Sequence, residues 1–380
     1  MKKKILFISN HASFFVSHRI NLYEEALKRF YEFYLIFGSG ASKVMEKNAL
    51  IYIKKKKIKF SRLTFSNNNF SINDFVSLLS VIFFIRKFNP NIVHSASPKA
   101  NIYAGISAFL FKKILLVISF SGMGYLFTQK KLDIITIFKK ILFKFLLKFI
   151  FLKKKKKIIV QNKHDYKFLI NNFNLKVKDI ILIKGGSGIY LEKYKKIKKK
   201  KSKNIIMVSR ILKNKGIIEF CKAAELLKKK YPEWKFILIG TKDYLSPDTI
   251  DDQTIDYYVK NKIIKLLGYK KNIINILSSS EIFCLPSYRE GMPKATLEAL
   301  AAGVPVVTSD AVGCRESIIN NYNGYICKTG SYLSLANKIE KLILDPKKRK
   351  IFSKNAINFA RRNFSIKDIT NKIYNIYEKN

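Results

Sequence analysis

The feature that most constrains the fold is the alternation of short β-branched or aromatic runs with longer segments of helical periodicity. This alternation indicates βαβ units and parallel sheets. In the first half of the chain the predicted strands are 5–8, 33–37, 92–94, 115–119, 158–160 and 180–183. The predicted helices are 20–30, 74–88, 100–111, 134–151 and 164–172, and a polar loop is expected at 9–17. We therefore predict a doubly wound, Rossmann-like α/β domain over residues 1–188.

The alternation of predicted strands and helices is interrupted by a lysine-rich segment and then resumes. Lysine occupies nearly every position from Lys193 to Lys203, which is too charged a segment to pack into a core. Beyond it the predicted strands are 205–208, 236–239, 263–267, 282–285 and 304–308, and the predicted helices are 216–229, 271–278 and 294–302. A second Rossmann-like domain is therefore predicted over 204–350. The tail, 351–380, is predicted to be helical, and packing against the N-terminal domain is one of its two alternatives.

The net charge of the chain limits the classes of molecule that it is expected to bind. Lys and Arg number 73 against 26 Asp and Glu, which gives a formal net charge of +47. Such an excess favours polyanionic partners, although Lys, Ile, Asn, Phe and Tyr are all abundant and A+T-rich coding accounts for part of it. A nucleic-acid-binding protein is the alternative. No helix-turn-helix, zinc finger or RNP-like string occurs, and the basic residues are spread along the chain, so we expect no nucleic acid partner.

The cysteines and the lengths of the apolar runs indicate the cellular compartment. The four cysteines form no C-x-x-C pair and have no histidines at metal-ligand spacing, so neither a zinc site nor a disulfide framework is indicated. The apolar run 5–8 is too short for a secretory signal. Lysines such as Lys112 and Lys113 interrupt every stretch that approaches the length of a spanning helix. We expect a cytoplasmic protein.

One loop and the helix after it carry the most specific pattern. A buried strand is predicted to end at Leu285, Glu290 lies in the loop, and Pro293 lies at the start of a helix. A helix N-terminus attracts phosphate through its free N–H groups and its dipole. Glu298 lies about 7 to 8 Å further along the axis, where it can accept hydrogen bonds from both ribose hydroxyls. The alternative is that Glu298 is a solvated helix residue and Glu290 a helix cap.

A basic pair follows the first strand of the second domain. Arg210 and Lys215 are placed to converge on a diphosphate, the first with a planar fork and the second with a compact point charge. Their task would be to stabilise the charge that builds on a leaving nucleotide diphosphate. With 73 basic residues in the chain, the alternative is an incidental pair.

These residues, taken in order, resemble a known family. Arg210, Lys215-Gly216, the string Pro286-Ser287-x-x-Glu290-Gly291-x-Pro293, Glu298 after seven intervening residues, and the segment 302–307 resemble glycosyltransferase family 4. That family consists of retaining enzymes of the GT-B fold, in which two Rossmann-like domains face a central cleft. In the first domain, 93–100 and 121–128 resemble a branch that acts in bacterial surface-glycan assembly, and the match covers nearly the whole chain.

The resemblance implies roles for individual residues. Arg210, Lys215 and Glu290 are the expected catalytic residues. The expected donor-binding residues are Glu298, Gly291, Met292, Pro293 and Thr296, and the expected acceptor and phosphate residues are His11, Ser13, His94, Lys99, Gly122 and Met123. Two departures stand out, because many relatives carry glycine in the loop that is here 10–13, and a second histidine where Ala96 stands. The alternative for His94 is therefore that it is only the structural histidine of that pair.

The implied reaction is retaining transfer of an N-acetylhexosamine such as N-acetylgalactosamine from a UDP-sugar to a saccharide on a polyprenyl diphosphate. No aspartates flank a single residue to hold a divalent metal, since Asp251-Asp252 is expected to be turn chemistry in a polar loop. We therefore expect no metal and no cofactor besides the nucleotide-sugar donor. A nucleotide-sugar epimerase of the same architecture is the alternative enzyme.

A basic stripe points to a membrane surface. Lys140, Lys144 and Lys148 recur every four residues, and Ile141, Phe145 and Phe149 line a neighbouring helix face. Such a helix can lie on an anionic interface, which predicts peripheral association with the inner face of the plasma membrane. The alternative is a partly buried Rossmann helix with snorkelling lysines.

Overall fold

The computed structural model describes residues 2–39, 42–64, 72–122, 134–195, 202–244 and 246–379. The chain divides into an N-terminal unit, Met1–Ile183 with Asp368–Asn380, and a C-terminal unit, Lys184–Lys367. The division falls earlier than the predicted boundary at 188–203. The segment that follows Ile183 therefore belongs to the C-terminal unit.

In the described part of the N-terminal unit the strands are β1 Lys4–Ser9, β2 Glu32–Phe37, β3 Lys59–Arg62, β4 Ile92–Ala96, β5 Leu115–Phe120, β6 Lys156–Val160 and β7 Ile180–Leu182. They form one parallel sheet in the order β3-β2-β1-β4-β5-β6-β7. The direction of winding changes between β1 and β4. In open α/β sheets, ligands bind at the carboxyl ends of the strands where this change occurs.

Helices cover both faces of that sheet. They are α1 Ala12–His18, α2 Ile20–Lys28, α3 Lys43–Lys55, α4 Ile72–Phe88, α5 Pro98–Phe109, α6 Ile134–Phe151 and α7 Lys163–Phe173. The apolar sides of α1, α2 and α3 pack into one core. Those of α4, α5, α6 and α7 pack into the core on the opposite face. This is the doubly wound arrangement that the alternation predicts.

The C-terminal unit repeats the plan. Its described strands are β8 Asn204–Val208, β9 Lys235–Ile239, β10 Lys265–Leu266, β11 Ile282–Leu285, β12 Val306–Ser309 and β13 Gly324–Cys327. They are parallel, in the order β10-β9-β8-β11-β12-β13, and the winding changes between β8 and β11. The helices are α8 Ile217–Lys230, α9 Asp252–Lys260, α10 Ile274–Ser278, α11 Lys294–Ala301, α12 Tyr332–Leu344 and α13 Pro346–Asn363.

The predicted tail is two helices. Phe352 and Ala356 of α13 lie in the core of the C-terminal unit. The last helix, α14 Ile366–Glu378, packs into the core of the N-terminal unit beside α2. Its Thr370 hydroxyl accepts a hydrogen bond from Asn21 at 2.6 Å, and Tyr374 donates to the Leu22 carbonyl at 2.6 Å. The N-terminal unit is therefore completed by the end of the chain.

Sequence reasoning missed several elements. The expected loop at 9–17 contains α1, and the expected turn at Asp251-Asp252 is the start of α9, where the Asp251 carboxylate accepts the backbone N–H of Thr254 at 2.7 Å. Polar helix caps look like turns in a sequence because both use the same side chains. Also missed were α3, α12, β3 and β13.

Candidate active site

Two loops meet at the carboxyl edge of the C-terminal sheet, one after β8 and one after β11. The Asn214 carbonyl of the first loop accepts the Ser287 hydroxyl at 3.0 Å and the Tyr288 backbone N–H at 2.9 Å from the second. Gly216 has φ of 75°, and a Cβ there would lie 2.2 Å from the Pro286 carbonyl oxygen. Glycine is therefore required at this position for the two loops to approach so closely.

Lys215 and Glu290, predicted as partners in one site, are in direct contact. The Lys215 Nζ lies 2.7 Å from the Glu290 Oε1, and both side chains are largely buried. The Glu290 backbone N–H donates to the Val312 carbonyl at 2.8 Å. Gly313, with φ of 81°, lies so close that a Cβ would be 2.2 Å from the Glu290 carbonyl oxygen. The glutamate is thus fixed by backbone contacts as well as by its ion pair.

Arg210 has a partner that sequence reasoning missed. Its NH1 lies 2.7 Å from the Asp243 Oδ2; the guanidinium is exposed, whereas the carboxylate is largely buried. Asp243 belongs to the loop after β9. The only available signal was an acidic residue shortly after a strand adjacent to β8. The pair leaves much of the guanidinium facing solvent, where it is accessible to an anion.

Helix α11 begins at Lys294, and Pro293 precedes it as the cap residue without a side-chain hydrogen bond. Glu298 lies on this helix and accepts a hydrogen bond from Tyr194. Burial raises the pKa of Glu298, and the opposing influences of Lys294, Lys193 and the Tyr194 hydrogen bond are smaller. Tyr194 was missed because it lies at the start of the lysine-rich segment.

The other predicted donor-binding residues are buried. Gly291, Met292 and Pro293 are buried, and Met292 packs so closely on Gly186 that a Cβ there would lie 3.1 Å from the Met292 Cβ. Thr296 is fully buried, and its hydroxyl has no hydrogen-bond partner within the described ranges. Their side chains are therefore covered by protein, and they shape the backbone of the loop and of the first turn of α11.

In the N-terminal unit the first predicted acceptor residues, His11 and Ser13, surround a carboxylate. Glu46 of α3 accepts the backbone N–H groups of Ala12 at 3.1 Å and Ser13 at 3.0 Å. The His11 Nδ1 accepts the Phe14 N–H at 3.2 Å and lies 3.6 Å from the Glu46 Oε1. Burial alone would raise the pKa of Glu46, but the nearby His11 and the hydrogen bonds from Ser13 outweigh it and lower the pKa.

For His94 the structure agrees with the structural alternative rather than with an acceptor contact. It lies on β4 with no exposed surface, its Nε2 is 2.7 Å from the Ser119 hydroxyl, and its Nδ1 is hydrogen-bonded to the Tyr377 hydroxyl of α14. Burial and the nearby Arg19 charge hold the pKa of His94 well below its ordinary value. With both ring nitrogens engaged, His94 connects the sheet to the C-terminal helix, and no atom of it is left to contact an acceptor.

The remaining predicted acceptor residues are Lys99, Gly122 and Met123. Lys99, at the start of α5, lies 2.9 Å from the Asp74 Oδ1, and both side chains are largely buried. Gly122 follows β5 with φ of 125°. Met123 lies outside the described residues. Sequence reasoning missed Arg19, which is nearly fully buried and donates to the Ser121 hydroxyl at 3.2 Å. Burial lowers the pKa of Arg19 to about 10.

The predicted membrane residues Lys140, Lys144 and Lys148 lie on α6, which also packs into the core. In the described ranges no helix is long and apolar enough to cross a membrane. Within the same ranges no group of three or more His, Cys, Asp or Glu side chains is arranged to hold a metal ion.

Solved structures share this fold along the whole chain. The crystal structure of Anabaena Alr3699/HepE in complex with UDP superposes with a TM-score of 0.77 at 17% identity, covering 100% of both chains. The sucrose-phosphate synthase of Thermosynechococcus elongatus gives a TM-score of 0.80 at 16% identity, covering 100% of this chain and 99% of the other. The predicted GT-B fold class, two parallel α/β sheets, is confirmed.

Sequence comparison then gives the family. The model for glycosyl transferases group 1 matches 191–359, and that for glycosyl transferase 4-like proteins matches 4–162. CapM, a capsular polysaccharide biosynthesis glycosyltransferase of Staphylococcus aureus, is 27% identical over 80% of this chain and 81% of its own. An N,N'-diacetylbacillosaminyl-diphospho-undecaprenol alpha-1,3-N-acetylgalactosaminyltransferase of Campylobacter jejuni is 31% identical over 76% of this chain and 78% of its own. The chain therefore belongs to the group 1 and 4-like glycosyltransferases, and it is a glycosyltransferase.

Proposed function

We propose that the protein transfers an N-acetylhexosamine such as N-acetylgalactosamine, with retention, from a UDP-sugar to a saccharide carried on a polyprenyl diphosphate in bacterial glycan assembly. Support for the substrates comes from the relatives, whose names include transferases to diphospho-undecaprenol acceptors in Campylobacter jejuni and Escherichia coli. The similar fold of an Anabaena protein crystallised with UDP supports the nucleotide.

The observation that carries the proposal is the Lys215–Glu290 ion pair of 2.7 Å at the change of winding in the C-terminal sheet. In this position Lys215 supplies a positive charge to a donor diphosphate, and Arg210 supplies a second from the adjoining end of β8. Both charges stabilise the diphosphate as it leaves the sugar. Glu290 faces the same space and accepts hydrogen bonds from the hydroxyls of the transferred sugar.

The α11 helix holds the rest of the donor. Its first N–H groups and the positive end of its dipole attract phosphate. Glu298, further along the helix, receives the ribose hydroxyls. For retention, the acceptor hydroxyl attacks the face from which the diphosphate departs, and the leaving-group oxygen takes its proton. The acceptor diphosphate approaches the loop of His11 and Ser13 in the N-terminal unit, and α6 lies at the inner face of the plasma membrane.

The proposal is tested by incubating the protein with membranes and a panel of UDP- and GDP-sugars, then weighing the glycolipid product. We expect one UDP-sugar to give a mass increase of one N-acetylhexosamine, with UDP released only when the acceptor is present. Release of UDP without an acceptor, or conversion of the donor to its epimer, would favour the epimerase instead. No product from any donor would overturn the proposed substrates.

Metal independence is part of the proposal, because Arg210, Lys215 and the α11 terminus provide the positive charge that a cation provides elsewhere. Adding a chelator should therefore change the initial rate of glycolipid formation by less than about tenfold. The control is the same assay with excess Mg²⁺ restored after the chelator. A larger loss that Mg²⁺ reverses would show that a metal takes part.

A further inference from the structure

Helix α4 is apolar on both its inward and its outward side, whereas a surface helix of a soluble protein normally has a polar outward side. Its inward side packs into the core, where Val81 is fully buried. Its outward side carries large apolar residues, with Phe75 64% and Phe83 60% exposed. Val76 and Leu79 are also exposed, so the outward residues recur at helical spacing along one stripe. Exposing this apolar side of α4 to water is therefore unfavourable.

Helix α6 shows a related stripe. Phe138 is 65% and Phe145 67% exposed, and Ile141 between them is exposed as well. This stripe lies beside three lysines, Lys140, Lys144 and Lys148. On α4 the basic residues are confined to the last turn, where the Lys87 Nζ lies 5.9 Å from the centroid of the Phe83 ring. The two helices thus expose similar apolar side chains, and α6 carries basic residues along more of its length.

The two helices belong to one layer. Both pack against α5, on the same face of the N-terminal sheet. The contact of α6 with α5 is close, because a Cβ on Gly105 would lie 2.5 Å from the Ile150 Cγ2. Large exposed apolar patches on a monomer mark an interaction site, and here two apolar stripes lie on the two helices that pack against α5.

We propose that α4 and α6 together form one bilayer-contacting surface, in which Phe75 and Phe83 of α4 enter the apolar boundary of the lipid and the α6 lysines attract anionic headgroups. This rests on the proposed function, in which the acceptor is a lipid, and it adds a second, salt-insensitive element to the contact. Apolar insertion does not depend on ionic strength, whereas the attraction of lysines to anionic lipid is screened by salt.

Charge complementarity favours lipid over a second copy of the chain. Each copy carries a net charge of +47, and pairing two α6 faces would bring their lysines together at a cost in Coulomb repulsion. An anionic bilayer satisfies both stripes at once, since headgroups pair with the lysines and acyl chains receive the phenylalanines. Aromatic side chains are also favoured at the boundary between water and lipid.

The test is flotation of the full-length protein with vesicles of phosphatidylcholine and phosphatidylglycerol, at low and at high salt. The Phe75→Ser/Phe83→Ser variant should bind about tenfold more weakly in both salts, because it loses buried apolar area. The K140Q/K144Q/K148Q variant should lose binding at low salt and resemble the parent at high salt. The matched control is Leu333→Ser/Leu344→Ser, which removes two exposed leucines from α12 in the C-terminal unit and should float like the parent.

Each outcome has a meaning. Flotation of the α4 variant equal to that of the parent overturns the proposal, and so does an equal loss in the α12 control. Circular dichroism and the thermal midpoint of each variant establish that it is folded. Concentration-dependent dimerisation that the α4 variant abolishes, without vesicle binding by the parent, would assign the surface to a second copy. UDP release with a detergent-dispersed acceptor tests the transferase separately, and it should be retained in the α4 variant.

Discussion

The carboxyl edges of the two sheets are built from the same topology, yet they hold their polar side chains differently. In the N-terminal unit, His94 is fully buried with both ring nitrogens bonded, and Glu46 is held by backbone N–H groups at the start of α1. In the C-terminal unit, Lys215 and Glu290 form a largely buried ion pair, and the exposed Arg210 pairs with Asp243. Under the proposed function, the polar groups of the first set mainly stabilise the fold, whereas those of the second set exchange their partners for a ligand.

The largest expected effect tests the polar groups of the C-terminal unit. Lys215→Ala removes a preorganised charge from the proposed diphosphate site, and kcat/KM for glycolipid formation should fall by about 10² to 10³-fold. The thermal midpoint should also fall, because removing Lys215 leaves the largely buried Glu290 carboxylate without its ion-pair partner, so rates are compared per folded molecule. The measurement is the initial rate of UDP release at several donor concentrations.

The matched control for Lys215→Ala is Lys213→Ala, because Lys213 lies in the same loop with its side chain exposed. Its rate should stay within about threefold of the parent, since an exposed charge in solvent is strongly screened. Equal losses from the two variants would mean that general basic charge, rather than the Lys215–Glu290 contact, is what the donor requires.

The second prediction tests the interior of the N-terminal unit. His94→Ala leaves the Ser119 and Tyr377 hydroxyls buried without their partner and should lower the free energy of unfolding by about 2 to 4 kcal/mol. The rate per folded molecule should be unchanged. Urea denaturation followed by circular dichroism measures the first quantity, and an active-site-normalised assay measures the second. Normal stability with lost activity would return His94 to the acceptor site.

These two residues also show how far the sequence could predict the structure. The strand-end position of Lys215 and the glycine and proline positions around Glu290 are local signals, and the structure brings the two side chains together. The partners Asp243 and Tyr194 come from other loops, so no local pattern reveals them. The burial of His94 has no local signal either, because it depends on α14, whose Tyr377 lies 283 residues further along the chain. The alternation of strands and helices predicted the fold well, whereas the short polar edge strand β3 gave little signal.

A third, smaller effect concerns Tyr194, which links the lysine-rich segment to the proposed ribose site. Tyr194→Phe removes the hydrogen bond to Glu298 and should raise the donor KM by about 3 to 10-fold, with less change in kcat. The control is Tyr190→Phe in the same segment, which leaves the Glu298 bond intact. A fall in kcat with an unchanged KM would contradict a role in placing the ribose-binding carboxylate.

The smallest effect contrasts one carboxylate from each unit. Burial acts to raise the pKa of both carboxylates; at Glu46 the nearby His11 and the hydrogen bonds from Ser13 outweigh it and lower the pKa, whereas at Glu298 burial prevails and the pKa is raised. A lowered pKa in the folded state means that Glu46 stabilises the fold above its unfolded pKa and that this contribution is lost as pH falls through the folded value. A raised pKa means that Glu298 becomes unfavourable as pH rises through its unfolded value towards its folded value.

The thermal midpoints of Glu46→Gln and Glu298→Gln should therefore diverge from the parent in opposite senses. Relative to the parent, Glu46→Gln is least stable at neutral pH, and the difference shrinks on acidification. Glu298→Gln gains most at neutral pH, and that gain shrinks on acidification. Calorimetry from about pH 4 to pH 7, the range in which unperturbed glutamate titrates, measures both. If both stability differences change with pH in the same direction, the two carboxylates lie in the same kind of environment. The contrast between the N-terminal and the C-terminal sheet edge would then not extend to the charges of these two residues.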